Sequence, residues 1–158
     1  MERVTVPTEE LMEILLLQIQ GGASAQLAIT GTSMNPMLRE NRDFVTVRKP
    51  QTPLKKGDII LYKRSNGKYV LHRIVKVTEN GYNCCGDNQW KREPVGNNQI
   101  LAVVTAFTRK GKTCNVLQSG YRIYVFFRML FRPVRRPVLA IRHGMQKLVR
   151  FLYKKTSE

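Results

Sequence analysis

The sequence predicts a mainly β, antiparallel domain with a short N-terminal helix and a basic, helical C-terminal tail. Short apolar or alternating runs recur between Gly- and Asn-containing turns through the middle of the chain. Helical periodicity is confined to the stretch before Gly21-Gly22 and the stretch after residue 120. The charge is also uneven, +16 in all, with ten Lys/Arg and the single acid Glu158 in residues 121–158, a net of +9 there. At 158 residues there is length for one cored domain plus an appendage. The expected organisation is an N-terminal amphipathic helix over 1–22, a β domain over 23–117 and a basic amphipathic tail over 118–158.

Residues 8–20 read as the helix. Thr8 is a good N-cap, and Glu9 and Glu10 complement the positive end of the dipole. Leu11, Ile14, Leu15 and Ile19 repeat at helical spacing, to be packed on the body or offered to a membrane or partner. From residue 24 the period changes to two: Leu27 and Ile29 alternate with Gln26 and Thr30, a strand entering the turn around Ser33. Phe44–Val47 is a second strand and Ile59–Tyr62 an apolar third. Ser65-Asn66-Gly67-Lys68 is a hairpin turn, from which Tyr69–Val77 returns as a long β-branched strand. Glu79-Asn80-Gly81 turns into Tyr82–Cys85, and Gly86-Asp87-Asn88 turns out of it. Residues 89–98 read as polar and irregular. Ile100–Phe107 is a strong strand and Thr113–Leu117 a last, shorter one. Tyr121–Phe131 mixes aromatics with Arg122 and Arg128, Arg132–Pro137 breaks the pattern, and Val138–Tyr153 resumes as a basic amphipathic helix.

The charge excess favours an anionic partner, and its concentration in the tail points to an anionic membrane surface over nucleic acid. The β body has no basic stripe interleaved with aromatics. Large apolar side chains beside arginines suit an interfacial helix, and the same stripe would serve a helix docked on the β body. Cys84, Cys85 and Cys114 are an odd count without Cys-x-x-Cys spacing, which argues against a zinc site or a disulfide framework and for free thiols in a reducing compartment. Acids stand where a secretory signal needs a basic region, and no apolar run is long enough to span a bilayer. The expected location is the cytoplasmic side, with peripheral membrane contact through residues 121–158.

Gly31 and Pro36 bracket Ser33 in a turn that can present a hydroxyl. A serine needs a base, and His72 is the one histidine before the tail. Near-neutral titration suits it to the task. A carboxylate would fix its tautomer, and Asp87 and Glu93 are the candidates.

Gly31-x-Ser33-Met34-x-Pro36, Gly57-Asp58-Ile59, His72-Arg73 and Gly86-Asp87-Asn88, in that order, resemble the signal peptidase I family, grouped with LexA-type self-cleaving repressors. The resemblance spans residues 22–107. It implies coiled antiparallel β-sheets or a partly open barrel, and a serine endopeptidase that uses neither metal nor cofactor. Ser33 matches the nucleophile, with Met34 and Pro36 beside the substrate. His72 stands where most bacterial members have lysine, as in the endoplasmic-reticulum and archaeal branch. Asp87 matches the first acid of that branch, and Glu93 stands near the later one. Gly31 replaces a frequent oxyanion-binding serine, leaving backbone N–H groups, chiefly that of Ser33, for the role. The implied substrate is a precursor protein or peptide carrying a signal or leader segment. A non-catalytic or self-cleaving regulatory β module that binds an anionic membrane surface or nucleic acid is the alternative.

Overall fold

The computed structural model describes residues 9–51, 53–134 and Met145. Its elements are α1 (Glu9–Gln20), β1 (Ala25–Ala28), β2 (Phe44–Arg48), β3 (Ile59–Lys63), β4 (Tyr69–Thr78), β5 (Gly81–Cys85), β6 (Glu93–Val95), β7 (Ile100–Arg109), β8 (Lys112–Asn115) and α2 (Ser119–Leu130). All strand pairs are antiparallel and form one open sheet in the order β1-β2-β7-β3-β4-β5-β6, with β8 also on β7. The mainly β expectation therefore holds, with an open sheet.

β7 is the hub. Its start pairs β3 (Val103 with Ile60), its end pairs β8 (Phe107 with Cys114), and β2 runs along it from Val103 to Thr108. β3 reads as an unbroken apolar run because it is buried on both faces. Ile59 and Leu61 join a large core with Ile19, Leu27, Met34, Leu38, Val45, Val47 and Val104, while Ile60 and Tyr62 join a smaller one with Ile74, Cys84 and Val95. The sheet thus separates two apolar layers, and a one-residue slip of β3 would exchange them.

Two features depart from the sequence reading, and a third settles an alternative it left open. The irregular stretch 89–98 contains β6 and one turn of 3-10 helix at Asn97–Gln99. Pro94 hides this strand from pattern reading, and it is tolerated because β6 lies at the end of the sheet. α1 buries Met12 and Ile19, with Leu15 and Leu16 against the core, and leaves Ile14 exposed. Its inward face is thus rotated from the one expected. In the tail, α2 docks through Tyr121, whose ring lies 5.1 Å from that of Phe107, and through Val125, which packs against Gly57. The expected N-cap Thr8 and the helix at 138–153, Met145 apart, lie outside the described residues.

Candidate active site

The turn carrying Ser33 is built from backbone bonds. Gly31 takes a left-handed φ of 73°, which glycine adopts at no steric cost, and its N–H donates to Glu40 Oε2 at 2.9 Å. The N–H of Asn35 donates to Thr32 O at 3.2 Å and that of Leu38 to Met34 O at 3.0 Å. The Gly86–Asn88 turn then clamps the loop from outside. Asn88 donates its backbone N–H to Ser33 O at 2.7 Å and its side-chain amide to Thr32 O at 3.3 Å. A Cβ on Gly86 would stand 2.7 Å from Ser33 O and 3.0 Å from Ser33 Cβ, so this approach requires glycine. Among the described residues no hydrogen bond from the Ser33 N–H to a protein acceptor occurs.

His72 reaches the same place along β4. The β4–β5 ladder begins with Arg73 opposite Cys85, so His72 and Gly86 are the next residue on each strand. Ser33 and His72 both line a cleft of about 450 Å³, together with Met34, Leu61, Arg64, Tyr69 and Gln89. No hydrogen bond joins the two side chains among the described residues; in sites without substrate such bonds are often long. Met34 is buried under the cleft and also belongs to the large core. Pro36, expected beside the substrate, is exposed, follows a cis peptide bond and lies outside the lining.

Behind His72 stands a chain of polar groups on one face of the sheet. His72 pairs Ile60 across β3, which puts Tyr62 two residues along on the same face. Tyr62 Oη lies 3.0 Å from His72 Nδ1 and donates to Glu93 Oε2 at 2.9 Å. Arg64 grips the same carboxylate with Nε on Oε1 and Nη2 on Oε2, both at 2.6 Å. Glu93 itself stands 3.9 Å from His72 Nδ1. A phenol has one proton, and an ionised carboxylate can only accept. The Tyr62 proton therefore goes to Glu93, and Tyr62 accepts from His72 Nδ1–H. This selects the tautomer whose Nε2 carries a free lone pair.

The electrostatics agree with that assignment. Burial lowers the His72 pKa to about 4, opposed by Glu93 and reinforced by Arg64, so the imidazole is neutral at neutral pH. Burial alone would raise Glu93, but its hydrogen bonds from Arg64 and Tyr62 hold it below the usual range, ionised. Burial, with Glu93 alongside, raises Tyr62, which keeps its proton. Burial also pushes the Cys84 thiol up to about 12, so it is neither a nucleophile nor a competing base here.

Asp87 is occupied elsewhere. Its carboxylate takes a two-pronged grip from Arg73, at 3.0 and 2.8 Å, and Arg128 of α2 lies 3.3 Å from Oδ1. Burial would raise its pKa, yet Arg73 and Arg128 hold it low. Arg73 is fully buried and donates to Gly57 O at 2.8 Å and Tyr121 Oη at 2.9 Å. The sequence offered Asp87 and Glu93 as alternative partners of His72. Glu93 reaches the imidazole through Tyr62, while Asp87 ties β4, the Gly86 turn and α2 together. Sequence reasoning missed Tyr62 and Arg64. Tyr62 reads as one more apolar strand residue, and only the β3–β4 register places it beside His72. Among the described residues no cluster suited to a metal ion occurs.

The family model described as Peptidase S24-like matches residues 4–105, well over half the chain. No curated protein matches this sequence.

Proposed function

This chain belongs to the Peptidase S24-like family, in the superfamily of LexA and the signal peptidases, and on that premise we propose that it is a serine endopeptidase cutting signal or leader peptides from precursors. The observation that carries the reading is the shared cleft of Ser33 and His72, with the far side of the imidazole tied through Tyr62 to Glu93.

In this mechanism Ser33 Oγ attacks the scissile carbonyl while His72 Nε2 takes its proton. The new imidazolium keeps donating from Nδ1 to Tyr62, whose oxygen is polarised by its bond to ionised Glu93. Glu93 thus stabilises the charged base at one remove and keeps it in register. The Ser33 N–H faces the developing oxyanion, the role left to the backbone once Gly31 replaces a serine. His72 then returns its proton to the leaving amine, and water, deprotonated by His72, hydrolyses the acyl-enzyme. The histidine in place of lysine aligns the chain with the endoplasmic-reticulum and archaeal type of signal peptidase.

The cleft walls favour an extended substrate. Residues 27–30 and residues 68–72 both line the cleft. β1 is the terminal strand of the sheet, and β5 pairs β4 only from Arg73 onward, so both segments offer backbone edges to which a peptide can add as a strand.

Cleavage of leader-bearing precursors by purified protein, with Ser33→Ala and His72→Ala, tests this reading. Each change should reduce turnover by about 10³-fold or more while the circular dichroism stays that of the parent. Equal cleavage by both variants would sink the mechanism. Failure of Ser33 to react with a serine-directed acylating probe would favour a non-catalytic module. A shortened mass of the protein itself, absent in Ser33→Ala, would favour a self-cleaving regulator.

A further inference from the structure

α2 is amphipathic, but its apolar side faces the wrong way for a helix that simply docks. The face on the body carries Tyr121, Val125 and Arg128, the last held on Asp87. The outward face carries Ile123, Phe126, Phe127 and Leu130, and exposed Phe131, the C-cap, and Val134 follow just past the helix end. Phe126 is 63 % exposed and Phe131 53 %, and none of the side chains of α2 is fully buried. A scattered exposed leucine is ordinary; a contiguous apolar stripe with three phenylalanines at one helix end is not.

The surroundings say what covers it. Beside the stripe a groove of about 660 Å³ runs between α2 and residues 55–59, floored by Ile59, Val125 and Met129 and rimmed by Lys55, Lys56 and Arg122. These three cations are exposed. The sequence of residues 121–157 contains no acid at all. The one acid of the groove lining, Asp58, is half-buried and accepts from the Lys55 N–H at 2.9 Å, so the exposed charges at the rim are cations. Apolar side chains with a predominantly cationic border match an interfacial bilayer surface, in which rings enter the acyl boundary and cations meet phosphates. A protein partner of matching shape would have to be acidic and aromatic-accepting over the same area, and nothing else in the fold asks for one. Among the described residues no helix is long and apolar enough to cross a membrane, so the contact is one that lies on the surface.

We propose that the outward face of α2, with the Lys55–Lys56–Arg122 rim, seats this protein on anionic phospholipid bilayers. The groove takes a lipid phosphate at its rim and the start of an acyl chain along its floor. Because α2 is bolted through Arg128 to the Gly86–Asn88 turn, the seated face is held rigidly relative to the Ser33 loop.

Vesicle co-sedimentation of the full chain tests this independently of catalysis, using the Ser33→Ala protein so that no cleavage complicates the reading. Vesicles of phosphatidylcholine alone are compared with vesicles that also contain phosphatidylglycerol, at low salt and at about 0.5 M salt. Binding should be several-fold stronger on the anionic vesicles and should weaken with salt. Phe126→Ser with Phe127→Ser should lower the partition coefficient about tenfold or more, and Lys55→Gln with Lys56→Gln several-fold. Phe131→Ser, at the exposed helix end, repeats the test should the double change disturb α2. Unchanged binding in the phenylalanine variants would overturn the proposal and assign binding to the basic residues beyond 134. Loss of a concentration-dependent dimer instead of vesicle binding would overturn it in favour of a second copy. Displacement of the protein from vesicles by duplex DNA, with the phenylalanine variants unaffected, would point to nucleic acid.

Discussion

Replacing Tyr62 with Phe removes one oxygen and opens the chain between Glu93 and His72. That oxygen lies 3.0 Å from His72 Nδ1 and 2.9 Å from Glu93 Oε2, so two hydrogen bonds go at once. Glu93 keeps both bonds from Arg64 and stays ionised. His72, 3 % exposed, keeps an Nδ1–H with no acceptor. In the resting enzyme this is a neutral, buried, unmet donor, costing about 1–3 kcal/mol of stability. In the transition state the ring is an imidazolium, and the missing bond is a charge-assisted one worth about 1.5–3 kcal/mol. The difference between those states is what the rate reports, with an upper limit of about 10- to 150-fold in kcat/KM. Loss of the tautomer preference adds to this, because rings with Nε2 protonated cannot act as base. The assay is steady-state cleavage of a leader peptide by wild type and Tyr62→Phe, with thermal melts of both. An acylating probe on Ser33 should slow in parallel. If Tyr62→Phe keeps kcat/KM within about twofold while His72→Ala is inactive, Tyr62 is only a packing residue and the link to Glu93 is not used.

The pH dependence follows from the depressed His72 pKa. The acid limb of kcat/KM should fall near pH 4, well below the 6.5 of an ordinary histidine, because activity needs the neutral ring; a limb at or above 6.5 would contradict the burial argument. The stability sign is the same. A folded pKa below the unfolded one favours the native state fully above about 6.5, and that contribution is lost as pH falls toward 4, so urea midpoints should drop over this window and drop less in His72→Gln. Gly86→Ala should push the Ser33 loop, since its Cβ would meet Ser33 O at 2.7 Å; about 1–3 kcal/mol of stability and at least about tenfold in kcat should go, and an unaltered kcat would show that the clamp is dispensable. Asp87→Asn strips the fully buried Arg73 of its countercharge, costing about 3–5 kcal/mol and lowering Tm by roughly 10 °C, with the residual folded fraction still acylated at Ser33; a change of under about 2 °C would refute a structural role for the pair.

The local structure was largely legible. The Asn66-Gly67 hairpin, the β-branched run of β4 and the period change after Gly22 each place an element, because turn chemistry and side-chain period act over a few residues. Ser33, His72, Asp87 and Glu93 could all be picked out as residue types in an order that resembles a known family. What they touch could not. Asp87 and Glu93 lie six positions apart, both near enough in sequence to serve His72. The choice between them depends on β6 pairing β5, with Glu93 opposite Cys84, and on Arg73 turning to the other partner. Tyr62 carried no signal of its own, since an apolar strand and a buried hydrogen-bond chain both use tyrosine. The stripe on α2 shows the same limit: periodicity shows that a helix has an apolar side, but not which side the fold will cover.

By itself, then, the sequence determined the strand and turn pattern, the two helical ends, the serine and histidine, and the basic tail, because each rests on a residue's own chemistry or on neighbours a turn away. Tertiary structure alone decided which acid is linked to His72 by hydrogen bonds, through which hydroxyl, and which face of α2 is left to the surroundings. Those outcomes are set by strand register and by competition among buried charges, and both depend on residues tens of positions apart.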